Sequence, residues 1–475
     1  MHLFNKTKIV ATIGPASESR EVLREMILAG VDVCRLNFSH GNYAIHRETV
    51  VTIRSLSKEL KSNTAILVDL QGPKLRIGEI RNNEAMLQDG AELIFTTQEC
   101  IGDQTRLYMN YLQFPQDVAI GDNILIDDGK IRLTVMETNK KDEVKARVVN
   151  GGKVSSRKGV NLPHTRISLP SLTPKDLEDL DFAMQLDVDW IGLSFVRKAS
   201  DILELKKLIA GGGKKIRVIA KIEKPEALTD IDEIIRETDA LMVARGDLGV
   251  ELPMQEVPLV QKMLVQKCIR AYKPVIIATQ MMESMIFNFT PTRAEVNDVA
   301  NSVIDGADAV MLSGETSVGK HPVQVVKTMR EIIETVEAKG YRYNRDHKPD
   351  LRSETFISDS ACYNACVMAS QVGAKAIVGL TRSGYTAYKV SSQRPVADIL
   401  IFTDEPAMLS VLSLVWGVRS FFYDHSVSTD ETILELQNIL KEEKLLTTGD
   451  IIINLASIPL EEQGRTNMIK LGIVH

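Results

Sequence analysis

At 475 residues the chain is too long for one compact core, so two to four domains are expected. Its composition, 44% hydrophobic and 25% charged, is that of a soluble globular protein, and a net charge of -6 argues against a general binder of nucleic acid or anionic membrane. No run is long and apolar enough to span a bilayer, and the start "MHLFNKTKIVATIGPAS" lacks the apolar core of a signal peptide, so no membrane association is expected.

Short apolar runs predict strands in chain order at 8–13 ("KIVATI"), 31–38 ("VDVCRLNF"), 65–70 ("AILVDL"), 190–195 ("WIGLSF"), 217–223 ("RVIAKIE"), 240–246 ("ALMVARG"), 274–280 ("PVIIATQ") and 309–314 ("AVMLSG"). Amphipathic stretches such as "REVLREMILAG" and "ASDILELKKLIAG" lie between most of them. Strand–helix alternation calls for a parallel sheet, and eight such units suit a (β/α)8 TIM barrel. The alternation breaks at 71–170, where β-like segments follow one another with no clear helix, so a small β-barrel domain is expected as an insert after the third strand. Pro73 and Pro170 mark its hinges. The charged stretch "YRYNRDHKPDLRSE" reads as a linker, and beyond it a second α/β pattern predicts a separate C-terminal α/β domain. The boundaries read as 1–72 and 171–340 for the barrel, 73–170 for the insert and 341–475 for the C-terminal domain.

The five cysteines, Cys34, Cys100, Cys268, Cys362 and Cys366, are scattered and odd in number, which fits a reduced cytoplasm better than a disulfide frame. Cys362 and Cys366 stand four apart on an expected helix. With no second Cys/His pair nearby, two buried thiols are a better reading than a metal site.

Polar groups collect at the C-terminal ends of seven of the eight strands. Strand one ends at Thr12, strand two carries Arg35, Asn37 and Ser39, and strand three ends at Asp69. Strand five ends with Lys221 and Glu223, strand six with Gly246 and Asp247, strand seven with Thr279, and strand eight runs into Ser313 and Glu315. A single such residue is often a helix cap, but capping does not explain so many together. Lys221 and Glu223, two apart, share one face at the end of a buried strand, where charge is costly without a task. Glu223 and Asp247 offer hard oxygen ligands that suit Mg2+. With Arg35 and Lys221 they form an anion site of the kind phosphoryl transfer needs. The segment "GETSVGKH" (314–321) matches the start of a P-loop, but His321 stands where Ser or Thr must follow the lysine, so that reading is rejected.

The stretches "CRLNFSHG", "DLQGPKLRIG", "KGVNLP", "AKIEKPEAL", "MVARGDLGVEL", "ATQMMESM", "PTRAEVNDVANSVIDGADAVMLSGET" and "TRSGYTA", in this order over essentially the whole chain, resemble pyruvate kinase. The resemblance implies a phosphotransferase that makes pyruvate and ATP from phosphoenolpyruvate and ADP, the last step of glycolysis. It implies Mg2+ at Glu223 and Asp247, with Mn2+ as the alternative metal, and a catalytic set of Lys221, Arg35 and Thr279. Lys221 would steady the transferring phosphoryl group and the enolate, and Arg35 would bind phosphate. Gly246, Asp247 and Thr279 match the substrate-carboxylate and proton-delivery region. Arg76 and Lys158 match nucleotide-phosphate contacts, with Asn37 and His40 nearby. Asn37, Ser39, Asp69 and the Leu70 carbonyl match a K+ pocket, yet Leu70, Gln71, Lys74 and Ile77 resemble the K+-independent branch, where a lysine ammonium replaces the ion. The loop Thr381, Arg382, Ser383, Gly384, Tyr385 and Thr386 matches an effector phosphate loop for a sugar-phosphate or nucleotide, with Tyr385 where many relatives have a basic residue. A cytoplasmic homotetramer follows by the same analogy. Two rivals are a Mg2+-dependent aldolase or lyase of the same barrel group, which needs neither the insert nor Lys221, and a catalytically dead relative, which would have lost part of this charged set.

Overall fold

The computed structural model describes residues 5–163, 165, 167–425, 428–458 and 465–475. Eight parallel strands close into a barrel: β1 (Lys8–Ile13), β2 (Val33–Asn37), β3 (Ala65–Asp69), β4 (Trp190–Leu193), β5 (Arg217–Ile222), β6 (Ala240–Ala244), β7 (Val275–Ala278) and β8 (Ala309–Leu312). Each neighbours the next, and β8 returns to β1. Their near-continuous burial accounts for the runs of Val, Ile, Leu and Ala, since side chains on both faces are covered. The first crossover shows how local chemistry sets the turns. Ser19 caps helix Arg20–Ala29 by accepting from Val22 N–H, and Gly30 ends it at φ 119, a conformation costly for other residues.

The insert leaves the barrel after β3. Six of its strands form one sheet, and a further two pair separately. Isolated bridges Arg76↔Gly159 and Ile77↔Met109 stitch residues 76–77 to both edges of the larger sheet, rolling it around Leu93, Phe95, Leu107, Phe114 and Leu133. The expected absence of helix needs one correction: Phe114–Asp117 is a single helical turn, too short to show a period, and its Phe114 is buried in this core. The insert's core is separate from that of the barrel.

The C-terminal domain holds a five-stranded sheet. Strands 376–380, 398–403, 418–422 and 451–456 run parallel, and 468–473 pairs antiparallel on one edge. Residues 341–350 carry neither helix nor strand and pack along this domain, with Asn344 and Arg345 donating to the carbonyls of Arg394 and Gln393 at 2.8 Å. One apolar core runs from the barrel into this domain and includes Ile377, Val390 and Trp416.

A buried ion pair pins the two together. Arg394 Nη2 meets Asp308 Oδ2 at 2.9 Å and the Gly306 carbonyl at 2.8 Å, while its guanidinium lies 4.9 Å from the Trp416 ring centre. Asp308 also accepts from Val275 N–H at 3.1 Å. Removing one partner of such a pair leaves a buried charge uncompensated, so Arg394→Ala is expected to cost about 3–5 kcal/mol. Calorimetry checks this as a lowered thermal midpoint; an unchanged midpoint would show the pair to be dispensable.

Candidate active site

The C-terminal rim of the barrel gathers its charges around Asp69. Pairing of Asn37 with Asp69 and of Gly192 with Asp69 sets β2, β3 and β4 side by side at that level. Arg35 grips Asp69 Oδ2 through Nη2 and, at 3.1 Å, through Nε, while its Nη1 donates to Thr12 Oγ1 at 2.9 Å. Lys221 Nζ reaches Asp69 Oδ1 at 3.1 Å, Glu223 Oε1 at 2.9 Å and Ser194 Oγ at 2.7 Å. Glu223 Oε2 accepts from Phe195 N–H at 2.8 Å. All four charged groups are buried. Gly192 makes room for them, because a Cβ there would stand 2.9 Å from Asp69 Oδ1.

Burial alone would lower the Lys221 pKa, but Asp69 and Glu223 outweigh it and hold the ammonium well above its ordinary value. Burial likewise works to raise Asp69, yet Lys221 and Arg35 bring it below the usual carboxylate range. Glu223 goes the other way. Burial, joined by the negative charge of Asp247, pushes it up against the opposing pull of Lys221. Held cationic in this way, Lys221 has no free lone pair with which to act as a base.

The far side of the rim is held in strained backbone. Thr279 and Gln280 have φ of 71 and 54, in the left-handed region that a β-branched residue rarely enters. Arg245 holds this turn by donating to the Thr279 carbonyl at 2.7 Å while paired with Asp298 at 2.7 Å. Thr279 Oγ1 accepts from Gly246 N–H at 2.7 Å, which ties it to the helix Arg245–Glu251 and its first-turn Asp247. Glu315, after β8, is buried and accepts from the N–H groups of Ser313 at 2.7 Å and Met282 at 3.1 Å.

Lys74, Arg76 and His40 stand at the mouth. Loss of hydration, then the charges of Arg76, Lys74 and Arg35, lower the His40 pKa, so these cations face a common space. Arg76 donates to the Arg157 carbonyl at 3.0 Å, and Lys158 pairs with Asp127 at 2.8 Å, both within the insert. Asn37 Oδ1 accepts from Ser39 N–H at 3.1 Å, and the Leu70 carbonyl accepts from Ser194 Oγ at 2.7 Å. Lys74 lines the cleft between insert and barrel with Phe195, Lys224 and Asp247. Among the described residues it has no carboxylate within ion-pair distance.

Ser194 was not singled out from sequence, although it fills the polar place at the one strand end that seemed to lack it. A small hydroxyl inside "WIGLSF" looks like part of an apolar run. The rejected P-loop is confirmed as another structure: Gly314–Ser317 forms one helical turn, and Lys320 lies 5.8 Å from the Phe287 ring centre. All five cysteines are free, and Cys362 and Cys366 are buried.

The 381–386 loop lies at the C-terminal end of strand 376–380, on the other domain. Thr381 Oγ1 accepts from Gly384 N–H at 3.1 Å, and Gly384 takes φ 84 before helix Tyr385–Ser392. Its charged and aromatic groups are engaged: Arg382 pairs with Asp404, and Tyr385 donates to Asp359. Ser383 Oγ accepts from Tyr385 N–H at 3.4 Å, and Thr386 Oγ1 meets Thr466 Oγ1 at 2.8 Å.

A parallel barrel with two buried cations and carboxylates at its C-terminal rim, and a domain inserted beside them, has the build of a phosphoryl-transfer enzyme. Residues 4–326 match the family model described as pyruvate kinase, barrel domain, and residues 359–471 match pyruvate kinase, alpha/beta domain. A pyruvate kinase of Clostridium perfringens is 42% identical over 471 residues, covering 98% of this chain and 99% of that one. One of Geobacillus stearothermophilus is 42% identical over 99% of this chain and 80% of its own length. The crystal structure of a pyruvate kinase from Cryptosporidium parvum superposes with a TM-score of 0.91 at 33% identity, covering 99% of this chain and 96% of that one. The chain belongs to the pyruvate kinase family. Its activity is that of a phosphotransferase, passing the phosphoryl group of phosphoenolpyruvate to ADP to give pyruvate and ATP. The family uses Mg2+ and K+. No helix among the described residues is long and apolar enough to cross a membrane.

Proposed function

We propose that the buried row Arg35–Asp69–Lys221–Glu223 is the phosphoryl-transfer apparatus. The single observation that carries this is a lysine kept cationic between two carboxylates at the barrel rim. Glu223 and Asp247 fit Mg2+ or Mn2+ in donor type, and their mutual repulsion, felt in the raised Glu223, is what a divalent cation relieves. Held there, the metal would supply Lewis-acid neutralisation of phosphoryl and enolate charge. Arg35 and Lys221 bind and neutralise phosphoryl oxygens, with Asp69 holding both in place. The amide and side chain of the Gly246–Thr279 contact receive the substrate carboxylate and face the proton delivered at carbon. Arg76, Lys158, Asn37 and His40 receive the nucleotide phosphates. Residues 1–72 and 171–340 serve as catalytic body, 73–170 as lid, and 341–475 as the domain of effector and subunit contacts.

Glu223→Gln is expected to lose on the order of a hundredfold or more in turnover without loss of fold. A coupled pyruvate assay and circular dichroism check this, and wild-type turnover at millimolar Mg2+ would sink the assignment.

Lys74 is the cation that makes K+ dispensable. Its ammonium stands at the cleft without a carboxylate partner among the described residues and brings its charge with no binding equilibrium. Near-full activity is expected in a tetramethylammonium buffer, and Lys74→Glu is expected to create a K+ requirement. Strong K+ activation of the unaltered enzyme at constant ionic strength would overturn this.

The enzyme is further read as a cytoplasmic homotetramer whose 381–386 loop seats a sugar phosphate or nucleotide. A phosphate there must compete with Asp404 for Arg382. A shifted phosphoenolpyruvate response with such a ligand, in a species sedimenting as four chains, is expected. An unshifted response, or a single-chain mass, would remove the corresponding half of the reading.

A further inference from the structure

One buried ion pair has no part in that mechanism. Lys224 follows Glu223, and its ammonium meets Glu251 Oε1 at 2.5 Å, with 7% and 2% of the two side chains exposed. Asn161 of the lid donates from Nδ2 to the same oxygen at 2.9 Å. Glu251 is the last residue of helix Arg245–Glu251, whose first turn carries Gly246 and Asp247. One carboxylate oxygen thus joins three pieces of chain: the segment presenting Glu223, the helix presenting Asp247, and the lid strand Val160–Asn161.

The lid meets that helix a second time. A turn with positive φ at Asp127, Asp128 and Gly129 brings the lid hairpin to Val250, whose Cγ1 lies 3.9 Å from the position a Gly129 Cβ would take. The return from the lid is clamped as well. Arg197, beyond β4, donates to the carbonyls of Ile167 and Leu169, each at 2.6 Å. The lid has its own apolar core, so it can move as a body, and its seating rests on few contacts, of which, among the described residues, Asn161 with Glu251 is the polar one to the helix.

We propose that Glu251 is a positioning residue that couples seating of the lid to the spacing of Glu223 and Asp247. A buried carboxylate shared by a lysine and an amide is fully satisfied only with the lid down. When the amide leaves, the oxygen keeps Lys224 alone, and the helix and the 223–224 segment lose their common tether to the lid. The lid is then the two-state element that nucleotide binding and the carboxylate pair both bias. This rests on the reading of Glu223 and Asp247 as the metal pair.

Asn161→Asp sets a like charge against Glu251 and should lower kcat/KM for ADP on the order of tenfold. In the wild type, ADP should slow amide exchange in the hairpin of strands Asn123–Ile126 and Ile131–Thr138, and the variant should lose that protection at an unchanged thermal midpoint. Asn161→Asp combined with Glu251→Gln exchanges donor and acceptor and should recover most of both signals. Should Asp at 161 unfold the lid, Asn161→Ala removes the donor without adding charge and should show a smaller loss of the same kind. Wild-type kcat, KM and protection in the Asn161 variants, or losses that simply add in the double variant, would overturn the proposal. Exchange protection reads lid seating without turnover, so failure of the latch appears there, whereas failure of the metal-pair reading appears in Glu223→Gln alone.

Discussion

Asp69 is a single acid compensating two buried cations, and the rest of the site depends on it. Burying two cations at the end of an apolar barrel is costly without a partner, and Asp69 serves both, reaching Arg35 on the neighbouring strand and Lys221 two strands away. That sharing leaves the row with net positive charge until Glu223 is counted, and Glu223 is itself pressed by Asp247. The site is therefore balanced but not relaxed: one acid held low, one held high, and a lysine held cationic between them. On the proposed reading, a phosphoryl group and a divalent cation would meet charges already fixed in place, with little rearrangement of protein dipoles.

The barrel register makes that economy work. Asp69 lies opposite Gly192, so the strand on that side offers no bulk at its level, and the lysine two strands away can extend past Gly192 to reach it. Across the rim the backbone takes up the cost instead. Thr279 sits at positive φ because Arg245, Gly246 and the Ala278 carbonyl all engage it. About 1–3 kcal/mol of local strain at such a residue is sustainable only where the surroundings over-determine it. Arg245 is thus tied to function through the backbone it holds, with no need to touch a substrate itself.

The barrel strands and the polar residues at their ends were legible because buried parallel strands leave unbroken apolar runs, and a charge that ends such a run stands out. Lys221, Glu223 and Asp247 were readable for that reason. Ser194 was not, since a hydroxyl adds little contrast to "LSF", and its value lies in bonding both Lys221 and the Leu70 carbonyl, which periodicity does not report. The Asn161–Glu251–Lys224 contact was hidden for a related reason. Its members lie far apart in the chain, and pattern reveals which face a residue occupies, not which residue it meets across a domain boundary. The engaged state of Arg382 and Tyr385 is of the same kind, because Asp404 and Asp359 belong to other elements. The turn Phe114–Asp117 was too brief to leave a period at all.

The division of apolar cores decides which motions are cheap. The insert keeps its own core, and its contacts with the barrel are few, among them Asn161 with Glu251, Gly129 beside Val250, and Arg197 with Ile167 and Leu169. The C-terminal domain shares a core with the barrel and is pinned by Arg394 and Asp308, so a large rotation there would tear packed surface. Yet its 381–386 loop touches the barrel directly, where Arg217 at the start of β5 donates to the Ser383 carbonyl at 3.4 Å. The opposite end of that strand carries Lys221 and Glu223. Strand β5 thus runs through packed structure from the loop contact at Arg217 to Lys221 and Glu223 at the rim.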